Sequence, residues 1–249
     1  MRFRSLFAAL AAAGCAGAVA CGGGDAPVTP ATPSPTPSPA AAARATRIMP
    51  LGDSITQGNT QTNSYRRPLW RLLEAAGAKV DFVGSETSNN GGPPPNPDFD
   101  LDHEGHWGWR ADQVLAMIDA WARAQQPDVV LVHLGSNDVF QGQDNASTLD
   151  ELSSIVARLR AANPSVKVLL AQLIPTRNAA ADARIVQLNA AISGLAARLH
   201  TSASPVVAVD HYSGFDADRD TRDGIHPNAA GETKMANVWL AAYQALAVR

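Results

Sequence analysis

Residues 128–138 read DVVLVHLGSND: five apolar residues broken only by His133, then a glycine, a hydroxyl, an amide and a carboxyl, with no cluster of turn residues between. A strand with one wet face alternates polar and apolar residues, whereas a strand buried on both faces of a parallel sheet reads as a continuous apolar run. The stretch therefore predicts a central strand that ends abruptly in polar chemistry. The same reading holds on both sides of it. Residues 47–51, 79–83, 166–174 and 206–210 are strand-like, and between them apolar residues recur at helical spacing over 64–76, 111–124, 148–162, 179–199 and 229–247. Five strands alternating with helices predict an α/β fold: a five-stranded parallel sheet covered on both faces, a three-layer α/β/α sandwich with right-handed crossovers. Ligands in such folds bind beyond the carboxyl ends of the strands.

The chain has 249 residues, and its first part is not globular in composition. Residues 1–20 combine Arg2 and Arg4 with an apolar, alanine-rich run, the pattern of an export signal and too short for a membrane span. Ala18-Val19-Ala20-Cys21 followed by three glycines resembles a bacterial lipoprotein signal, which implies lipid attachment at Cys21 and a membrane anchor. Ala18 stands where leucine is usual, Ala12 to Cys15 is a second candidate, and simple secretion is the alternative. Residues 21–46, rich in Gly, Pro, Ser and Thr, predict a disordered tether, because they cannot bury enough apolar surface to offset their ordering entropy. That leaves residues 47–249 as one catalytic domain. Both cysteines, Cys15 and Cys21, precede it, so it holds no disulfide.

The net charge is −3, and cleavage before Cys21 would remove two arginines and leave 18 basic against 23 acidic residues, or −5. The arginines are scattered rather than interleaved with aromatics, which excludes a nucleic-acid interface. Oligomeric state is not legible. Residues 89–100, NNGGPPPNPDFD, are too rich in Gly and Pro for regular structure and predict part of the rim of the site. Residues 215–224 gather Asp216, Asp218, Asp220 and Asp223. They lack the glycine and the bidentate glutamate of a helix-loop-helix calcium site, so a solvated acidic loop is expected.

Three polar clusters fall at strand ends or before the last helix: Gly52-Asp53-Ser54, Gly135-Ser136-Asn137-Asp138 and Asp223-Gly224-Ile225-His226. A fourth, Gly105-His106-Trp107-Gly108-Trp109-Arg110, precedes a helix. Together they supply the parts of an acyl-transfer site. The Ser54 hydroxyl is a poor nucleophile until a base removes its proton, and His226 is the best of six histidines for that task. Asp223, three residues before it, is placed to hold one ring nitrogen and to stabilise the imidazolium. A tetrahedral oxyanion needs several donors aimed at one point. The Ser54 N–H, the Gly108 N–H and the Asn137 amide are the candidates. Helix capping alone would explain Ser54 but none of the other clusters.

These four blocks, in order and spacing, resemble those of the SGNH or GDSL-like hydrolases, although isoleucine follows the serine where leucine gives that family its name. The resemblance spans nearly all of residues 47–249. It implies a flavodoxin-like fold, Ser54 as nucleophile, Asp223 and His226 as the rest of the triad, Gly108 and Asn137 as oxyanion donors beside Ser54, and no cofactor. Arg47 to Gly58, Tyr65-Arg66-Arg67, Val80 to Ser85 and His103 to Trp109 look like the carbohydrate esterases of family three, which implies removal of acetyl groups from xylan or a similar acetylated carbohydrate. A lysophospholipase or thioesterase of the same fold, a non-catalytic polysaccharide-binding module and a glycan acetyltransferase are the alternatives.

Trp107 and Trp109 flank Gly108 and are candidates for lining a sugar cleft, with Asp53 as a further substrate contact or a turn-shaping residue. His103 and His106 lack a cysteine or a further carboxylate at ligand spacing, so a rim or structural role is expected and no metal is assigned. His133, inside an apolar run, is expected to be a satisfied core histidine. Arg66 and Arg110 are expected to pair with acids near the site.

Overall fold

The computed structural model describes residues 44–247. The expected export signal, Cys21 and nearly all of the tether lie outside the described residues. The fold begins slightly before residue 47: Thr46 opens the first strand, and Arg44 pairs with Asp128 at 2.6 Å.

In chain order the elements are β1 (Thr46–Gly52), α1 (Ser54–Gln57), α2 (Arg66–Ala75), β2 (Val80–Phe82), β3 (Glu104–Gly105), α3 (Ala111–Gln125) and β4 (Val129–His133). There follow α4 (Ser136–Phe140), α5 (Asn145–Ala162), β5 (Lys167–Gln172), α6 (Ala179–Leu199), β6 (Val206–Asp210) and α7 (Ala229–Ala247). All pairings are parallel in the order β2-β1-β4-β5-β6. The five expected strands are present, and the sheet has a sixth member. The two-residue β3 lies against the end of β1, with Leu51 opposite Glu104 and Gly52 opposite Gly105. A two-residue strand with one polar member leaves no apolar run in the sequence, which is why it was not foreseen.

Alternate residues of the strands face opposite cores. Met49, Leu51, Val130, Val132 and Leu134 pack against α3, α5 and α6, while Ile48, Val129, Leu131, Leu169 and Val209 pack toward α2 and α7. Burial on both faces accounts for the unbroken apolar runs. Without β3, the strands in chain order are arranged 2-1-3-4-5, the order of flavodoxin-like folds. The chain leaves β1 toward β2 on one side and returns to β4 on the other, so the switch point lies between the carboxyl ends of β1 and β4. Gly52-Asp53-Ser54 and Gly135-Ser136-Asn137 leave the sheet there.

Candidate active site

At the end of β1 the backbone turns sharply. A Cβ on Gly52 would lie 2.4 Å from both the His133 carbonyl oxygen and the Thr56 hydroxyl, so only glycine fits beside β4 at this point. Asp53, not Ser54, caps α1: its Oδ1 accepts the Ile55 N–H at 2.9 Å. This corrects the capping role considered for Ser54, which is instead the first residue of α1 and 7% exposed. The expectation that Asp53 touches substrate is corrected as well. Its side chain is wholly buried beneath the turn, and Oδ2 has no hydrogen-bond partner among the described residues. Burial pushes this carboxyl up to about 7, with the neighbouring Asp138 adding to the rise and the Ile55 N–H opposing it.

Ser54, His226 and Asp223 form a hydrogen-bonded chain. Ser54 Oγ lies 3.0 Å from His226 Nε2, and His226 Nδ1 lies 2.7 Å from Asp223 Oδ2. Asp223 Oδ1 accepts the backbone N–H groups of Ile225 and His226 at 3.0 and 2.7 Å, so the three-residue spacing lets one carboxylate fix both its own turn and the ring. Burial would raise the Asp223 carboxyl, but these donors outweigh it and hold it below the usual carboxylate range. The loop is closed by Arg222 N–H donating to the His226 carbonyl and tied to the β5–α6 connection by the Thr176 hydroxyl and Arg177 N–H, both donating to the Gly224 carbonyl. This arrangement lets the imidazole take the serine proton while the carboxylate steadies the cation that results.

On the other side of Ser54, residues 106–109 form a turn closed by Trp109 N–H to the His106 carbonyl. Gly108 has φ 79°, the left-handed conformation that the third residue of such a turn demands. The turn is held from three directions. Gln57 accepts the Trp107 N–H, Asn137 Nδ2 donates to the Trp109 carbonyl at 3.0 Å, and Gln141 Nε2 donates to the Gly108 carbonyl. Neither the Ser54 N–H nor the Gly108 N–H has an acceptor among the described residues, and Asn137 keeps a second amide hydrogen. Sequence reasoning missed Gln57 and Gln141, which carry no motif of their own; their role appears only when α1 and α4 meet the turn.

Ser54, Gly108, Asn137 and His226 share a cleft of about 180 Å³ whose apolar wall is Ile55, Phe140 and Ile225. Trp107 also lines it, 37% exposed and stacked on His226. Trp109 does not. It lies beneath the turn in a stack with His106 and Trp121, at 4.4 and 4.7 Å from the His106 ring, and its expected substrate contact is corrected accordingly. His106 is fixed by the buried Glu104 at 2.8 Å, and His103 is bonded to the Ser88 carbonyl and the Gly105 N–H, so both histidines brace the turn. A larger concavity, about 650 Å³, opens at the amino edge of the sheet, remote from the triad.

Several other expectations change. Arg66 pairs with no acid among the described residues: it is 1% exposed and donates to the carbonyls of Thr56, Gln57 and Leu101 and to Asn89 Oδ1. Arg110 does pair with an acid, Asp112. His133 is buried, both ring nitrogens lack partners among the described residues, and burial lowers it to about 4. The acidic loop is only partly solvated, since Asp220 is buried and bonded to Lys234 at 2.6 Å. The Gly/Pro-rich loop packs against residues 59–63 and lines a separate cleft rather than the one at Ser54.

The family model of the GDSL-like Lipase/Acylhydrolase family matches residues 51–234. A multidomain esterase of Ruminococcus flavefaciens is 31% identical over 216 residues, which cover 78% of this chain but only 28% of that protein. Among solved structures, an acetyl esterase mutant with an acetate ion is 35% identical with a TM-score of 0.71, covering 81% of this chain and 97% of that one. A carbohydrate esterase family 3 protein from Talaromyces cellulolyticus is 36% identical with the same TM-score and the same coverage. Likeness at this level runs through 97% of each of these two chains, and the chain belongs to the GDSL-like lipase/acylhydrolase family as a carboxylic ester hydrolase of the carbohydrate esterase family 3 type.

Proposed function

We propose that this esterase removes acetyl groups from an acetylated polysaccharide such as xylan, through a covalent acyl-enzyme on Ser54. The observation that carries the reading is the size of the cleft: about 180 Å³ beside the Ser54 hydroxyl, with Ile55, Phe140 and Ile225 as its apolar wall. That volume suits a short acyl group such as acetyl. The acetyl esterase and the family 3 carbohydrate esterase among the relatives support the same choice.

In the proposed mechanism His226 Nε2 takes the Ser54 proton as Oγ attacks the acetyl carbonyl carbon. The carbonyl oxygen becomes an oxyanion facing the Ser54 N–H, the Gly108 N–H and the Asn137 amide. As the tetrahedral species collapses, the sugar oxygen leaves and takes the proton from His226. Water then repeats the sequence on the acetyl-enzyme, His226 again acting as base, and acetate departs with Ser54 restored. Asp223 holds the ring and stabilises its charged form without being protonated itself. The sequence motifs of residues 1–46 support a companion proposal, that the enzyme is exported and tethered through a lipid on Cys21.

Acetate release from acetylated xylan, other acetylated glycans and nitrophenyl esters of increasing chain length tests the reading. Short esters and acetylated glycan should be preferred. A preference for long chains would favour a lysophospholipase or thioesterase. Ser54→Ala should lower kcat by roughly 10⁴-fold or more with the fold retained, and intact activity in that variant would end the mechanism.

A further inference from the structure

A second cleft of about 520 Å³ lies on the far side of the triad loop, between residues 61–68, the Gly/Pro-rich loop, Arg222 and the start of α7. Its size falls within the roughly 300–1,000 Å³ of small-molecule sites. What sets it apart is a buried carboxyl in its wall. Glu232 is 9% exposed, and the Thr62 hydroxyl and the Ser64 N–H are the donors that face its carboxylate. Burial raises this carboxyl to about 7, with Arg222 opposing the rise. Asn63 and Asn96 lock each other, Nδ2 of Asn63 to Oδ1 of Asn96 and the Asn96 N–H to Asn63 Oδ1, which leaves the Asn96 amide hydrogens free at the rim.

The charges in the cleft favour a neutral ligand over an ionic one. Arg67 is engaged bidentately with Asp98, and Arg222 donates to the Thr62 hydroxyl at 3.3 Å and lies 3.8 Å from Asp223. Glu232 repels an anion, while Arg222 beside it disfavours a cation. A neutral ligand rich in vicinal hydroxyls, which both donate and accept, matches a buried carboxyl, a free amide and the apolar faces of Pro68 and Pro95.

We infer that this cleft is a saccharide subsite that holds a neighbouring, unesterified sugar of the same chain whose acetylated unit sits at Ser54. The inference rests on the polysaccharide reading above. Arg222 lines this cleft and directly precedes Asp223, whose partner His226 lines the cleft at Ser54. A chain would run from Ser54 over His226 and Asp223 to Glu232.

The test compares wild type with Glu232→Ala, Glu232→Gln and the loop variant Asn96→Ala. The first readout is the ratio of kcat/KM on acetylated xylo-oligosaccharide to kcat/KM on nitrophenyl acetate. The second is calorimetric binding of unacetylated xylobiose to xylohexaose to the full chain. The ratio should fall about 10-fold in Glu232→Ala and severalfold in Asn96→Ala, with oligosaccharide affinity weakened in parallel and partly kept by Glu232→Gln. Unchanged ratio and affinity in both alanine variants would overturn the subsite while leaving the polysaccharide esterase intact. If wild type itself cleaves nitrophenyl acetate but no acetylated glycan, the substrate reading fails first and this inference falls with it.

Discussion

The indole of Trp107 lies nearly parallel to the imidazole of His226, with ring centroids 4.9 Å apart and planes inclined by 17°. Asp223 fixes one edge of that imidazole and Trp107 covers one face, so the ring is held in two independent ways. Stacked aromatic pairs contribute about 0.5–1.5 kcal/mol beyond simple burial. Trp107→Ala should therefore lower kcat/KM on small acetyl esters roughly 2- to 10-fold, and Trp107→Phe should restore most of it. An alanine variant as active as wild type would show that the stack does not position the base.

Asn137 faces two ways, donating one amide hydrogen to the Trp109 carbonyl and keeping the other for the cleft. Removing an oxyanion donor typically costs about 10²–10³ in kcat. Asn137→Ala should show a loss of that order with KM little changed, measured by steady-state kinetics on nitrophenyl acetate. Asn137→Asp should be at least as damaging, because it brings negative charge toward the developing oxyanion.

Asp223→Asn keeps the shape of the turn but offers an amide to His226 Nδ1, which favours the tautomer unable to accept the serine proton. A fall in kcat of about 10²–10⁴-fold is expected. The side chain is 45% exposed, and water can partly replace the lost acceptor, so the effect belongs toward the lower end of that range.

Asp53 and His133 make stability depend on pH in opposite senses. The Asp53 carboxyl is raised from 3.8 to about 7, so the folded chain binds more protons than the unfolded one and stability falls as pH rises from about 4 to about 7. His133 is lowered from 6.5 to about 4, so its contribution is complete above 6.5 and is lost as pH falls toward 4. Asp53→Asn keeps the Ile55 cap and cannot ionise. Denaturant unfolding at several pH values should show a shallower decline between about pH 4 and about pH 7 in that variant, and parallel curves would refute the assignment.

Arg66 satisfies four acceptors from the buried connection behind Ser54 and from the loop at residue 89. Arg66→Ala should destabilise the fold by about 2–4 kcal/mol, since carbonyls that lose their donor stay buried. Arg66→Lys should recover only part of this, because one ammonium cannot reach four acceptors spread around a planar guanidinium. Urea unfolding checks both.

The sequence by itself determined five of the six strands of the sheet and the polar clusters at their ends. Runs such as Val129 to Leu134 are apolar because both faces of the sheet are covered, and that periodicity survives in one dimension. The grouping of Ser54, His226 and Asp223 into one hydrogen-bonded chain was also legible, because Asp223 reaches His226 through a three-residue local turn. What only the tertiary structure decided are contacts between segments far apart in sequence. Arg66 looked like an ion-pairing residue until the turn after Ser54 and the loop at residue 89 wrapped carbonyls around it. Trp107 and Trp109 are equivalent in sequence, yet a positive φ at Gly108 sends one into the cleft and the other beneath it. Asp53 and His133 carry ionisable side chains that the sheet seals from water, and burial is a property of the packed fold that no local pattern encodes.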